Sequence, residues 1–134
     1  MYHYTALITV LAVLFYMFAS MRVSWARGKY GVKLPATSGN ADFERVFRVH
    51  MNTLEQLVVF LPALWIFASF VSSLWAAILG AIFIVGRAIY AVTYVKDPKK
   101  RSAGFALTAL PELVLLIGIL VWAVMALVKT PAAG

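Results

Sequence analysis

Arg45, Arg48, Asn52 and Glu55 stand in the segment ERVFRVHMNTLEQ, from Glu44 to Gln56, at separations of three, four and three residues. That spacing puts all four on one face of a helix. The face then turns apolar at Val59, Pro62 and Ile66. Ionisable groups at the head of an apolar helix are costly in a membrane and mark a site by default. The chemistry on offer is anion recognition. An arginine presents a planar fork that grips a carboxylate in two places. A second group, Arg87, Tyr90 and Tyr94, is spaced by three and four and also shares one face. The tyrosines can offer hydroxyls to a polar ligand while their rings stay in apolar surroundings.

The elements that carry these groups follow from composition. Of the 134 residues, 63% are hydrophobic, well above the ~45–50% of a soluble domain. The chain therefore reads as one all-α integral membrane domain over 1–134, a four-helix bundle. Its spans fall at about 4–25, 43–71, 74–95 and 103–128. The first apolar run has no Lys or Arg before it and is followed by Arg22 and Arg27, so it reads as a retained span rather than a cleaved signal. Ser38 or Asn40 can cap the second span, and Pro62 bends it. Gly80 and Gly86 suit close approach between helices. The tail KTPAAG is expected to fray.

Net charge is +7, from 12 Lys+Arg against 5 Asp+Glu. The cations cluster in two loops beside spans: Arg27, Lys29 and Lys33 in one, and Lys96, Lys99, Lys100 and Arg101 in the other. Such placement speaks for topology and anionic lipid headgroups, not nucleic acid. Both basic loops are expected on the cytoplasmic side, with both termini outside, as in a bacterial inner membrane. There is no cysteine, hence no disulfide and no thiolate ligand. His50 lies off the polar face and reads as an interface or packing histidine rather than a catalytic base, and without a His or Cys partner it gives no metal site.

Helical rise sets depths. Asn52 lies ~14 Å and Glu55 ~18 Å below Phe43, Arg87 ~13 Å below Lys96, and Glu112 ~16 Å below Arg101. The four share a layer, and antiparallel neighbours would bring Arg87 to Glu55 or Glu112. The surplus of cations at that level suits an anionic ligand.

These same residues resemble a known family. ERVFRVHMNTLE is similar to the second-helix signature of the MAPEG family, the membrane-associated proteins of eicosanoid and glutathione metabolism. GRAIYAVTY, Gly86 to Tyr94, resembles its third-helix motif. The wording of HMNTLE and KDPKKRSAG resembles the type-three microsomal glutathione transferase branch. The resemblance implies a homotrimer that binds glutathione between subunits. By position it puts Arg48, Asn52, Glu55, Arg87, Tyr90 and Tyr94 along one side of the glutathione site. Arg27 and His50 would reach in from the adjacent subunit. Arg101 falls near the arginine that the type-one branch uses to stabilise the thiolate. Gln56 stands where the leukotriene synthase branch has a tyrosine, and Leu110 where that branch has a fourth-helix arginine.

The function so implied is a membrane glutathione transferase or peroxidase acting on lipophilic electrophiles or lipid hydroperoxides. The alternative is a non-catalytic accessory protein of the same fold. A transporter would want an inverted repeat, and none is visible.

Overall fold

The computed structural model describes residues 1–130. Four long helices account for most of them: α1 (His3–Tyr30), α2 (Ala41–Phe70), α3 (Ser73–Lys96) and α4 (Ser102–Lys129). All four are long and apolar enough to cross a membrane. The chain is a multi-pass, all-helical membrane bundle.

α2 and α3 form its middle and each touches the other three helices, while α1 and α4 flank them. The apolar core lies toward the end that holds the Ser72 turn. There Phe60 and Phe83 stack with centroids 3.8 Å apart, and Ile8, Leu64 and Leu115 close around them. A smaller cluster of Val23, Ala26, Phe43 and Val46 lies at the basic end. Large apolar side chains such as Leu110, Leu113, Leu120 and Val124 cover the outside of α4. A lipid-facing helix demands such a surface, and in water it would be a liability.

The helix ends follow capping chemistry. Asn40 caps α2 by accepting from the Phe43 N–H at 2.9 Å, so of the two candidate caps Asn40 serves rather than Ser38. Asp42 and Glu44 then sit in the first turn, against the positive end of the dipole. Ser72 caps α3 through the Trp75 N–H, which lets a two-residue turn suffice. A 3-10 turn, Pro98–Lys100, joins α3 to α4, with Asp97 accepting from the Lys99 N–H.

α1 runs five residues beyond the expected end of the first span. No residue before Gly31 forbids helix, and Gly31 ends it in the left-handed region at φ 69°. Gly28, expected in the loop, is thus helical, and Arg27 and Lys29 lie on the last turn, beside its exposed carbonyls. At the other terminus Lys129 closes α4, and both the N–H and the hydroxyl of Thr130 donate to the Ala126 carbonyl. The rest of the tail expected to fray, residues 131–134, lies outside the described residues.

Glycines set the spacing of α3 and α4. A Cβ on Gly104 would collide with the Tyr90 backbone, and one on Gly86 would lie 2.7 Å from the Leu107 backbone. This close approach fixes how Tyr90 on α3 faces Arg101 at the head of α4.

Candidate functional site

At the basic end of the bundle, α2, α3 and α4 enclose a cavity of about 320 Å³. Arg48 and Asn52 line it from α2, Tyr90 and Tyr94 from α3, and Arg101 and Phe105 from the start of α4. Five of the nine residues that the resemblance assigns to the site therefore meet in one place.

Each is held there for a local reason. Arg48 forms an ion pair with Glu55 at 3.3 Å, two turns along the same face, with both side chains about half exposed. Glu55 thus adjoins the cavity through Arg48. Arg101 occupies the N-terminal cap position of α4, and its guanidinium donates to the Pro98 carbonyl at 3.2 Å. Tyr90 and Tyr94 stack with ring centroids 5.3 Å apart. Asn52 is buried, and its Oδ1 has no hydrogen-bond partner. A buried acceptor left unpaired costs about 1–3 kcal/mol, so it suits an incoming donor.

Arg45 leaves the shared face. It reaches back to the Val95 and Lys96 carbonyls at 3.4 and 3.3 Å, tying the head of α2 to the C-terminal end of α3. A cation placed there also complements the helix dipole.

Arg87 does not pair with Glu55 or Glu112, the partners its depth suggests. Its Nη2 donates to Thr53 Oγ1 at 2.9 Å and its Nη1 to Thr108 Oγ1 at 3.3 Å. The guanidinium also lies over the Tyr90 ring at 4.5 Å. Arg87 is only 1% exposed and lies behind the tyrosine instead of lining the cavity. Two threonine hydroxyls and a ring face take the place of a counterion. About one turn deeper, the Gln56 amide faces the Glu112 carboxyl; with its nitrogen assigned to that side, it donates to both Glu112 oxygens, at 2.7 and 2.9 Å. The single polar layer predicted by depth is not formed: Arg87 and Glu112 lie on separate rungs, and Glu55 pairs with Arg48. Depth alone does not fix azimuth.

Arg27 and His50 lie away from the cavity. Arg27 donates to the Ala36 carbonyl at 2.7 Å, stacks on Phe43 and so pins the α1–α2 loop. His50 Nε2 lies 3.1 Å from the Tyr16 hydroxyl, and the stacked rings join α2 to α1. Leu110 is exposed on the outer face of α4 and does not border the cavity.

Three contributors were not singled out in the sequence. Phe105 follows Arg101 by four residues and could have been found as its same-face neighbour. Thr53 and Thr108 carry no signal of their own. They gain meaning only from the arginine that folding places between them.

Chemically, the cavity offers two guanidiniums, one unpaired amide acceptor and two phenols, beside an apolar exterior. Such a set recognises a small ligand with more than one anionic group. The volume is at the lower end of the ~300–1,000 Å³ usual for small-molecule clefts.

Comparison with known proteins finds a family match and several relatives. Residues 5–127 match the MAPEG family model. An uncharacterized protein of Synechocystis sp. is 52% identical over 115 residues, covering 86% of this chain and 84% of that protein. Microsomal glutathione S-transferase 2 of Bos taurus is 36% identical over 77% of this chain and 70% of its own length. Leukotriene C4 synthase of Rattus norvegicus is 35% identical over 72% of this chain and 64% of its own. With four membrane helices, a polar cavity at their basic end and a family match over almost its whole length, the chain belongs to the MAPEG family.

Proposed function

We propose that the protein is a membrane glutathione transferase that also reduces lipid hydroperoxides. The observation that carries this reading is the cavity holding Arg48, Asn52, Tyr90, Tyr94 and Arg101. Glutathione can bring a carboxylate to one guanidinium of the cavity, Arg48, and its thiolate to the other, Arg101. Its peptide N–H groups match the unpaired Asn52 Oδ1. The two similar relatives with named activities, a glutathione transferase and a leukotriene C4 synthase, support the same class of chemistry.

Each residue then has a role. Arg48, held by Glu55, binds a glutathione carboxylate. Asn52 accepts from the peptide, and Tyr90 and Tyr94 complete the polar wall. Arg87 holds Tyr90 in place from behind. Arg101 stabilises the thiolate. A thiol with a pKa of ~8.5 is mostly protonated at neutral pH. A guanidinium beside it does not lose its proton, so it favours the ionised form. The thiolate sulfur attacks an electrophilic carbon and displaces its leaving group. Alternatively it attacks the terminal oxygen of a hydroperoxide, which breaks the O–O bond, releases the alcohol and leaves a glutathione sulfenic acid; a second glutathione then forms the disulfide and displaces water. The protein supplies position and charge.

The working unit is a homotrimer in which Arg27 and His50 of a neighbouring subunit complete the glutathione site. Both basic loops face the cytoplasm, so glutathione enters from there while the acceptor arrives through the lipid of a bacterial inner membrane. A non-catalytic accessory role is the second reading. Arg101 at the cavity favours the enzyme over it.

Purified protein assayed with glutathione and either chlorodinitrobenzene or cumene hydroperoxide tests the proposal. Turnover that is lost in Arg101→Ala is the expected result. Saturable glutathione binding without turnover toward either acceptor would establish the accessory role instead.

A further inference from the structure

A second cavity, of about 430 Å³, opens between α1 and α3, well over a quarter turn around α3 from Tyr90 and Tyr94. Its walls are two helical stripes of the same period. Phe15, Phe18, Ala19 and Arg22 form one, and Ala88, Ala91, Val95 and Lys96 run along the other. Val46 and Val49 of α2 make the floor. The alanines explain the slot, since a methyl group leaves open the space that a larger side chain would fill.

Polarity in this slot is confined to one end. Arg22 and Lys96 sit at the basic end of the bundle, and everything deeper is apolar. Both cations are exposed, and among the described residues neither forms an ion pair with a carboxylate. Arg22 lies over the Trp25 ring at 4.9 Å, and tryptophan favours the headgroup level. From Arg22 to Phe15 the slot runs ~10 Å, and from Lys96 to Ala88 ~12 Å. One leaflet of a ~30 Å hydrocarbon core is only slightly deeper.

A paired cation mouth at the membrane surface over a leaflet-deep apolar slot is complementary to one class of molecule. We infer that this groove holds an anionic glycerophospholipid, with its phosphate on Arg22 and Lys96 and an acyl chain between α1 and α3. The site faces away from Arg101, so the lipid is a resident of the bundle and not the acceptor of the reaction. It is independent of what the polar cavity binds.

The full chain, purified in mild detergent, is titrated with dioleoylphosphatidylglycerol, dioleoylphosphatidylcholine or inorganic phosphate. Native mass spectrometry and thermal unfolding provide the readouts. Phosphatidylglycerol is expected to bind at one copy per subunit and raise the melting temperature, and the other two are expected to do neither. The double variant Arg22→Gln/Lys96→Gln should weaken that binding roughly tenfold or more, given the strength of lysine and arginine attraction to anionic lipid. Ala91→Leu fills the slot and should weaken it as well. Should that variant unfold, Ala88→Leu serves the same purpose at an exposed position. Lys33→Gln/Lys129→Gln removes as much charge elsewhere and should bind as the wild type does. Equal binding of phosphatidylcholine would overturn the assignment, as would an equal shift from phosphate alone or wild-type binding by the groove variants. The chain has no native cysteine. Near-complete oxidative cross-linking of a Phe18→Cys variant to a second copy, with lipid binding unchanged, would also overturn it, by making this face an interface between subunits.

Discussion

Arg87 donates to the hydroxyl of Thr53 at 2.9 Å across the contact between α2 and α3, with both side chains almost wholly buried. No carboxylate stands within ion-pair distance of that guanidinium among the described residues. The buried charge rests on two threonines and the face of Tyr90. Thr53→Val should therefore destabilise the protein by about 1–3 kcal/mol, since it removes a buried partner and keeps the charge. Thr53 also donates to the Val49 carbonyl, but that acceptor belongs to the helix ladder, so its loss matters less. Thermal unfolding in detergent of Thr53→Val, Arg87→Met and the double variant is the check. The double variant is expected to be more stable than the sum of the single losses predicts.

Arg101 is exposed and bonds only to its own turn, so Arg101→Ala should leave stability within about 0.5 kcal/mol. Turnover should fall by about two orders of magnitude near neutral pH, as when a preorganised donor to developing charge is lost. The sign with pH is fixed by the role. Without the guanidinium the bound thiol ionises only at higher pH, and each tenfold loss of thiolate corresponds to ~1.4 kcal/mol. The deficit should be largest at low pH and shrink as pH rises past the free thiol value. A deficit constant across pH would assign Arg101 to binding rather than to ionisation.

Arg48 and Asn52 are expected to act on affinity. Arg48→Ala removes a charge-assisted contact of about 1.5–3 kcal/mol, equivalent to roughly ten- to a hundredfold in Kd for glutathione. Asn52→Leu removes the unpaired acceptor and should raise KM more than it lowers kcat. Glu55→Gln breaks a half-exposed ion pair worth about 0–1 kcal/mol, so it should weaken glutathione only slightly and barely change stability. Titration calorimetry on the three variants ranks them.

Two glycine substitutions should have opposite signs. Gly104→Ala drives a methyl into the Tyr90 backbone and must push α3 and α4 apart. A loss above about 2 kcal/mol is expected, together with loss of glutathione binding, because Tyr90 and Arg101 move relative to one another. Gly28→Ala meets nothing within 4 Å and lies inside α1, so it should stabilise by about 0.5–1 kcal/mol. Melting curves for both, measured side by side, decide this.

Gln56 and Glu112 form a rung of their own. Gln56→Leu leaves the buried carboxyl without its amide partner and should cost about 1–3 kcal/mol. Gln56→Leu/Glu112→Leu removes the need for a partner and should recover most of that loss. Equal instability of the single and double variants would show that Glu112 bonds elsewhere.

Much of this protein is written in local sequence. Long apolar runs specify four helices, because a backbone in lipid must satisfy its own hydrogen bonds. Basic loops set the two ends apart. The three- and four-residue spacings of Arg48, Asn52, Tyr90 and Tyr94 place those groups on common faces, and the cavity gathers all four. Tertiary structure alone decided which buried groups meet. Arg87 went to Thr53 and Thr108, Glu112 to Gln56, and Arg27 to the loop that follows it. Helical period reports the face and depth of a residue on its own helix. The rotation of one helix against its neighbour is set by packing, here by glycine contacts such as that of Gly104 with Tyr90.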